Sequence, residues 1–224
     1  MTGDLFAAHE HARRPCSEVI ADGALWLQAF ADAQVSDLLE AINAVLAQAP
    51  LRQMQTPGGY TMSVAMSNCG ALGWVTDRHG YRYQAQDPLS MQAWPAMPAP
   101  FSQLAARAAA AAGFQDFAPD ACLINRYEPG ARMSLHQDKN ERDLREPIVS
   151  VSLGLPASFL FGGLKRSDKP LRLCLQSGDV VVWGGPARLR FHGIETVNQG
   201  EHALTGHYRF NLTFRKAGGH ATEK

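Results

Sequence analysis

An excess of charge of either sign is missing from this chain: 21 Lys and Arg face 21 Asp and Glu, for a formal net charge of zero. A balanced field excludes long-range attraction onto a polyanion, so any nucleic-acid contact has to be local. Cysteine is scarce, four in 224 residues. Cys16, Cys69, Cys122 and Cys174 form no C-x-x-C pair, which excludes a zinc knuckle and a disulfide framework and suits a reducing cytoplasm. No stretch approaches the roughly 18 apolar residues that a membrane-spanning helix needs. A basic-then-apolar leader is also missing, because Asp4, His9, Glu10 and His11 stand in its place. The expectation is a cytoplasmic monomer, off the membrane and with no obligate protein partner. No repeat and no low-complexity linker divides the chain.

What is present is distributed unevenly. Residues 1–120 carry 6 Lys+Arg against 11 Asp+Glu, and residues 121–224 carry 15 against 10, so an anionic ligand belongs with the second half. Residues 1–17 and 218–224 are polar and unpatterned and read as flexible ends of a single domain over 18–217. Val35, Leu38, Leu39, Ile42, Val45 and Leu46 recur at helical spacing, closed by Pro50, and predict an amphipathic helix. A second helix is predicted from Phe101 to Ala112, with Gly113 as its C-terminal cap. Residues 51–90 are rich in glycine, methionine and aromatic residues and read as strands and loops lying as a lid over a β-core.

That core is predicted over 121–217, where the period changes to two. Strands are expected at Ala121–Tyr127, Ile148–Leu155, Ser158–Phe161, Leu171–Gln176, Asp179–Trp183, Leu189–Gly193 and His207–Arg215. Seven short strands with Gly-rich corners suggest an α+β protein whose sheet forms a barrel or jelly roll with flanking helices.

The chemistry-bearing residues cluster there. In His136-Gln137-Asp138 an extended backbone projects one imidazole and one carboxylate to the same side. His192, on the face of the Leu189–Gly193 strand that also holds Arg190, supplies a third donor. Two histidines and a carboxylate make a facial triad for non-haem Fe(II). In the last strand Phe210, Leu212 and Phe214 take one face, and Arg209, Asn211, Thr213 and Arg215 the other. Turned inward, two arginines need anionic partners, and a dicarboxylate gripped at both ends by Arg209 and Arg215 would serve. Asn125 and Tyr127, two apart on one strand face, can add hydrogen bonds. From these residues alone, a solvated edge strand and a hydrogen-bonded strand histidine are equally open readings.

The set His136-x-Asp138, His192 and Arg209-x-Asn211-x-Thr213-x-Arg215 resembles the Fe(II)- and 2-oxoglutarate-dependent dioxygenases, in particular the bacterial AlkB family of DNA-repair enzymes. The similarity runs from about Leu51 to Ala217 and includes Thr56-Pro57-Gly58-Gly59-Tyr60-Thr61-Met62-Ser63, Asn125-Arg126-Tyr127 and Gly178 to Gly185. It implies a double-stranded β-helix of cupin type with a nucleotide-recognition lid. It also implies Fe(II) on His136, Asp138 and His192, and 2-oxoglutarate on Asn125, Tyr127, Arg209, Asn211 and Arg215. The implied reaction uses O2 to demethylate N-alkylated bases such as 1-methyladenine and 3-methylcytosine in DNA, with RNA as a further candidate. Formaldehyde, succinate and CO2 would be released. The target would be flipped out or single-stranded. It would be stacked on Trp74 and Tyr81, with Tyr83 nearby, His136 as a second wall, and Thr56, Tyr60, Arg78 and Arg166 at the phosphates. Asn140 stands where the family pattern has an acid, which predicts a weakened preference for cationic bases. Two alternatives remain: a hydroxylase of proteins or small molecules with the same core, and a non-enzymatic β-sandwich holding structural Zn²⁺.

Overall fold

Two periods are written into the chain, about 3.6 in residues 35–46 and two after residue 121, and each produces its elements. The computed structural model describes residues 13–218. In chain order it forms β1 (Cys16–Ala21), β2 (Ala24–Gln28), α1 (Val35–Leu46), β3 (Arg52–Gln55), β4 (Thr61–Gly70), β5 (Gly73–Asp77), β6 (Gly80–Gln84) and α2 (Ala99–Ala111). There follow β7 (Ala121–Tyr127), β8 (Met133–His136), β9 (Ile148–Gly154), β10 (Ala157–Phe161), β11 (Leu171–Leu175), β12 (Val180–Trp183), β13 (His192–Ile194) and β14 (Arg209–Arg215). Eight strands make one sheet in the order β1-β2-β12-β9-β14-β7-β4-β3. Four make a second, β11-β10-β13-β8, and β5-β6 is a separate two-stranded hairpin.

Alternation along the central strands decides what each face of the large sheet meets. Leu212 and Phe214 of β14, Val149, Val151 and Leu153 of β9, Cys122 and Ile124 of β7 and Val180 and Val182 of β12 turn to one side. There they bury against Leu38 and Ile42 of α1 and Phe101, Leu104, Ala105 and Ala108 of α2. Truncating a residue such as Phe214 to Ala would cost about 3–5 kcal/mol. The opposite parity turns inward: Leu123, Tyr127, Ile148, Val181 and Trp183 meet Phe159, Phe161, Leu173, Leu175 and Ile194 of the small sheet. Arg209, Asn211, Thr213 and Arg215 share this inner side and are all buried. The site therefore lies between two sheets packed as a jelly roll.

α1 spans its predicted residues, and α2 starts two residues before the expected Phe101. Gly113, at φ +88°, ends α2: its N–H bonds the Ala110 carbonyl, and the Phe114 N–H reaches back to Ala109, a paired closure that requires a left-handed residue.

The expected flexible end at 1–17 divides. Residues 1–12 lie outside the described residues, as do 219–224. From Arg13 onward the chain is fixed, with Arg13 donating to Asp179 at 2.8 Å and Asp32 at 2.9 Å. β1 pairs with β2 across Asp22-Gly23, a two-residue hairpin turn with Gly23 at φ +75°. The strand expected at Leu189–Gly193 is also corrected. Gly185–Ala187 form a short 3-10 turn, the Arg190 N–H bonds back to Ala187, and pairing begins only at His192. Among the described residues no helix is long and apolar enough to cross a membrane.

Candidate active site

β8 and β13 lie side by side with His136 directly opposite His192. Gly193 permits the approach: a Cβ there would stand 2.6 Å from the Met133 carbonyl oxygen. The two imidazole centroids are 4.4 Å apart. Asp138, two residues beyond His136, places Oδ1 3.7 Å from Nε2 of His136 and Oδ2 3.7 Å from Nε2 of His192. One ligand atom from each residue falls within 4.8 Å of the others. Nδ1 of His136 meets the Ser134 carbonyl at 2.9 Å and Nδ1 of His192 meets the Arg190 carbonyl at 3.1 Å. A carbonyl only accepts, so Nδ1 carries the proton on each ring and Nε2 keeps its lone pair for the site. Burial, reinforced by His136, pushes the pKa of His192 down to about 3, which keeps that imidazole neutral. Burial works against ionised Asp138, yet Arg215 and the two histidines together hold its carboxyl well below the usual range.

Behind this triad lies a buried polar network. Arg215 donates Nε (2.8 Å) and Nη2 (2.5 Å) to Oδ2 of Asp138, and its Nε is 3.5 Å from Oε1 of Glu141. Glu141 also accepts from Arg188 Nη2 at 3.0 Å and from the Tyr83 hydroxyl at 2.7 Å. Arg188 holds the carbonyls of Asp138 (2.6 Å) and Glu146 (2.9 Å). Tyr83, expected beside the target, is instead half-buried with its hydroxyl on Glu141, and desolvation raises its pKa well above 10.0. Glu141 and Arg188 were missed by the sequence reading. Nothing in a lone Glu after Asp138-Lys139-Asn140, or an Arg in a Gly-Pro turn, marks a buried pair.

A small cavity of about 50 Å³ adjoins the two histidines, lined among others by Asn125, Tyr127, Ser150, Trp183, Asn211, Thr213 and Arg215. Asn211 is fixed by donating to Ser150 at 2.8 Å and to the Val151 carbonyl at 3.0 Å. Arg209 is 1% exposed and stacks 4.9 Å over the Tyr127 ring. It spends only Nη2, on Ser152 at 3.0 Å, while its Nε and Nη1 and the Asn125 Oδ1 find no partner. A buried guanidinium with two idle donors costs several kcal/mol unless an anion joins it. The residues present therefore fit a small carboxylate. The two arginines differ, however: Arg215 is already engaged by Asp138, and Arg209 is the one with open valence.

On the other side His136, Asp138 and Arg215 also border a second cavity of about 930 Å³. Trp74 and Tyr81 line it from the hairpin, their rings stacked at 5.7 Å and 20°. Asn68 locks Trp74 by bonds to its N–H (2.9 Å) and carbonyl (3.0 Å). Thr56 and Tyr60 line it from the turn between β3 and β4, and Asn140 and Arg166 line it from loops, Arg166 lying 5.3 Å over Phe191. Arg132 and Lys139 join them, and Asp138 is the one carboxylate among the lining residues. Arg78, at the exposed tip of the hairpin, does not border it.

A jelly roll that gathers two histidines and a carboxylate between two adjoining cavities, beside a buried arginine lacking an anion, is the architecture of a non-haem iron oxygenase with an acidic cosubstrate. The chain belongs to the 2OG-Fe(II) oxygenase superfamily, whose family model matches residues 23–215. Enzymes of this superfamily use Fe(II), 2-oxoglutarate and O2, and the triad described here supplies the corresponding donor set. It is 60% identical over 215 residues to the alpha-ketoglutarate-dependent dioxygenase AlkB of Escherichia coli (strain K12), covering 96% of this chain and 98% of that one. It is 33% identical over 126 residues to the nucleic acid dioxygenase ALKBH1 of Homo sapiens, covering 56% of this chain and 32% of that one. The structure of OsALKBH1 superposes with a TM-score of 0.77 at 27% identity, covering 90% of this chain and all of the other.

Proposed function

We propose that this enzyme demethylates N-alkylated bases in DNA, 1-methyladenine and 3-methylcytosine being the type substrates, with RNA as a second class, in the cytoplasm. The observation that carries the reading is the position of the three-donor site. It borders a roughly 930 Å³ cavity with a stacked Trp74–Tyr81 pair in its wall and Arg132, Lys139 and Arg166 among its lining. Aromatic faces hold any base at about 1–3 kcal/mol each, and the cations meet phosphates. A hydroxylase of proteins needs neither feature. A structural zinc site would be closed by a fourth protein ligand, whereas here His136 and His192 border one cavity and His136 and Asp138 border another.

His136, Asp138 and His192 would hold the iron, and Asn125, Tyr127, Arg209, Asn211 and Arg215 the 2-oxoglutarate. With O2 they supply the oxidation that converts an N-methyl group to formaldehyde, giving succinate and CO2. The chain's own residues prepare that chemistry. The backbone carbonyls of Ser134 and Arg190 fix the imidazole tautomers, and Arg215 keeps Asp138 ionised at one oxygen. Arg209 offers its two idle donors to a carboxylate, and Phe159 and Trp183 beside His192 exclude water. Within residues 51–90, β3 and β4 extend the large sheet beside β7, and the lid over the catalytic strands of 121–217 is formed by the β5–β6 hairpin and the turn between β3 and β4. A base inside a duplex cannot reach a site between two sheets, so the target enters single-stranded or flipped, between Trp74 and Tyr81 on one side and His136 on the other.

The test is mass spectrometry of an oligonucleotide carrying one 1-methyladenine after incubation with the protein, Fe(II), 2-oxoglutarate and air, with His136→Ala as the control. Metal-dependent loss of 14 mass units, about one CH2, is expected. Succinate formation with the methyl group intact would keep the oxygenase and overturn the substrate.

A further inference from the structure

The geometry points to Glu141 as a positioning residue that clamps the β5–β6 hairpin and the loop after the metal-ligand pair to each other. Tyr83 lies two residues beyond Tyr81 on β6, so both project from one face of the hairpin. Tyr81 reaches the target cavity, and Tyr83 donates its hydroxyl to Oε1 of Glu141 at 2.7 Å. The other carboxylate oxygen takes Arg188, which at the same time holds the carbonyls of Asp138 and Glu146 and so closes the loop from beneath. Asp138 and Glu141 are both buried and both bonded to arginine. The two residues between them, Lys139 and Asn140, are exposed and line the target cavity. Fixing positions 138 and 141 therefore sets where 139 and 140 present themselves. The hairpin's other side-chain hydrogen bonds outward, Asn68 to Trp74, Thr76 to the Gln55 carbonyl and Trp94 to the Gln84 carbonyl, stay within residues 55–94, whereas the Tyr83 bond crosses to the catalytic loop.

A purely stabilising role accounts poorly for this arrangement, because apolar residues of similar volume commonly match a buried ion pair in stability. What two arginines, one carboxylate and one phenol supply is a fixed register between parts distant in sequence. Target contacts from the hairpin and from Asn140 are thereby set by one group that touches neither target nor metal.

This inference rests on the reading that the cavity takes a nucleotide, and its test separates the two. Hydrogen exchange is measured on the full chain loaded with Mn(II), for the wild type, Tyr83→Phe and Glu141→Gln. In Tyr83→Phe, amides of residues 73–84 exchange at least about tenfold faster, the low end for losing one hydrogen bond to a charged group, while those of β9 stay as they were. With methylated oligonucleotide and Fe(II), the loss in this variant falls on KM, at least fivefold, and kcat changes by less than twofold. In Glu141→Gln both 73–84 and 137–146 loosen, and the absorption bands of the Co(II)-loaded site shift, which a merely structural residue would not cause. Wild-type exchange of 73–84 in Tyr83→Phe overturns the proposal, as does a loss carried by kcat with KM unchanged. If Glu141→Gln fails to fold, the Tyr83→Phe result decides. If the wild type ignores every methylated oligonucleotide, the nucleic-acid reading falls, and the exchange measurement still decides the clamp.

Discussion

Oδ2 of Asp138 receives two hydrogen bonds from Arg215, at 2.8 and 2.5 Å, and is also the oxygen 3.7 Å from Nε2 of His192. One carboxylate oxygen thus joins the metal-ligand set to the arginine of the last strand. Arg215→Met would leave Asp138 and Glu141 buried with less positive charge than they need. The expected cost is about 3–5 kcal/mol of stability in the metal-free protein, read from urea denaturation midpoints at neutral pH. An unchanged midpoint would show that the pair contributes nothing.

Arg209, six residues away on the same strand face, should behave in the opposite way. Its Nε and Nη1 have no hydrogen-bond partner, so the folded protein carries a buried cation met only by Ser152 and the face of Tyr127, and burial lowers its pKa. Arg209→Met is expected to leave the melting temperature of the ligand-free protein the same or higher. The thermal stabilisation by 2-oxoglutarate in the presence of Mn(II) should be lost, because charge-assisted hydrogen bonds of about 1.5–3 kcal/mol each disappear. A full 2-oxoglutarate shift in this variant would remove Arg209 from the cosubstrate site.

These contrasts show which parts of the molecule the sequence makes legible. The parity of Arg209, Asn211, Thr213 and Arg215 against Leu212 and Phe214 could be read directly, because period two survives wherever a strand is buried on both faces with different partners. Leu189–Gly193 has the same alternation and is mostly not a strand. Gly185 and Pro186 start a turn whose hydrogen bonds run to Arg190, and alternation over five residues does not reveal that. β1 was missed although Asp22-Gly23 between two apolar stretches is a strong hairpin signal, because the polar face of an edge strand hides the pattern. β8 is four residues long and leaves too little period to detect. The triad was legible since its members are chemically distinctive; Glu141, Arg188 and the separate fates of Arg209 and Arg215 depend on pairings across the fold that no local spacing records.

The hairpin carries its own acid-sensitive tie. Arg82 and the His79 N–H bond Asp77 at the turn, and the Arg82 bond first of all lowers the Asp77 pKa from 3.8 to about 2. A depressed folded-state pKa contributes stability above the unfolded value, and that contribution fades as pH falls through the folded one. Between pH 4 and pH 2 the wild-type hairpin should therefore lose amide protection relative to its own value at pH 5. Asp77→Asn, already lacking the ion pair, should show a flatter profile over the same range. Parallel profiles for the two proteins would show that Asp77 does not tie the hairpin.

Two hydrogen bonds with Asn68 hold the Trp74 backbone, and its ring, stacked on Tyr81, lines the large cavity before any target arrives. Trp74→Ala should weaken binding of a methylated single strand by about 1–3 kcal/mol, roughly 5- to 150-fold. Fluorescence anisotropy of a labelled oligonucleotide on the Mn(II)-loaded protein measures it. An effect below twofold would place the base elsewhere in the cavity.

How the same cavity treats charge can be tested at Asn140, which lines it. Apart from Asp138, which Arg215 engages, no carboxylate is among its lining residues, while Arg132, Lys139 and Arg166 are. A cationic base such as 1-methyladenine or 3-methylcytosine thus meets a wall with no free anion, and a neutral alkylated base gives up nothing by comparison. Asn140→Asp restores a charge on nearly the same frame. At about 4 Å a unit charge pair is worth between about 1 kcal/mol in water and about 4 kcal/mol near a protein surface. The rate ratio of cationic over neutral lesions, each present singly in the same oligonucleotide, should therefore rise at least fivefold, with the gain smaller at high salt because the position is exposed. If the ratio is the same in both proteins, position 140 does not read the charge of the base, and shape alone selects the lesion in this cavity.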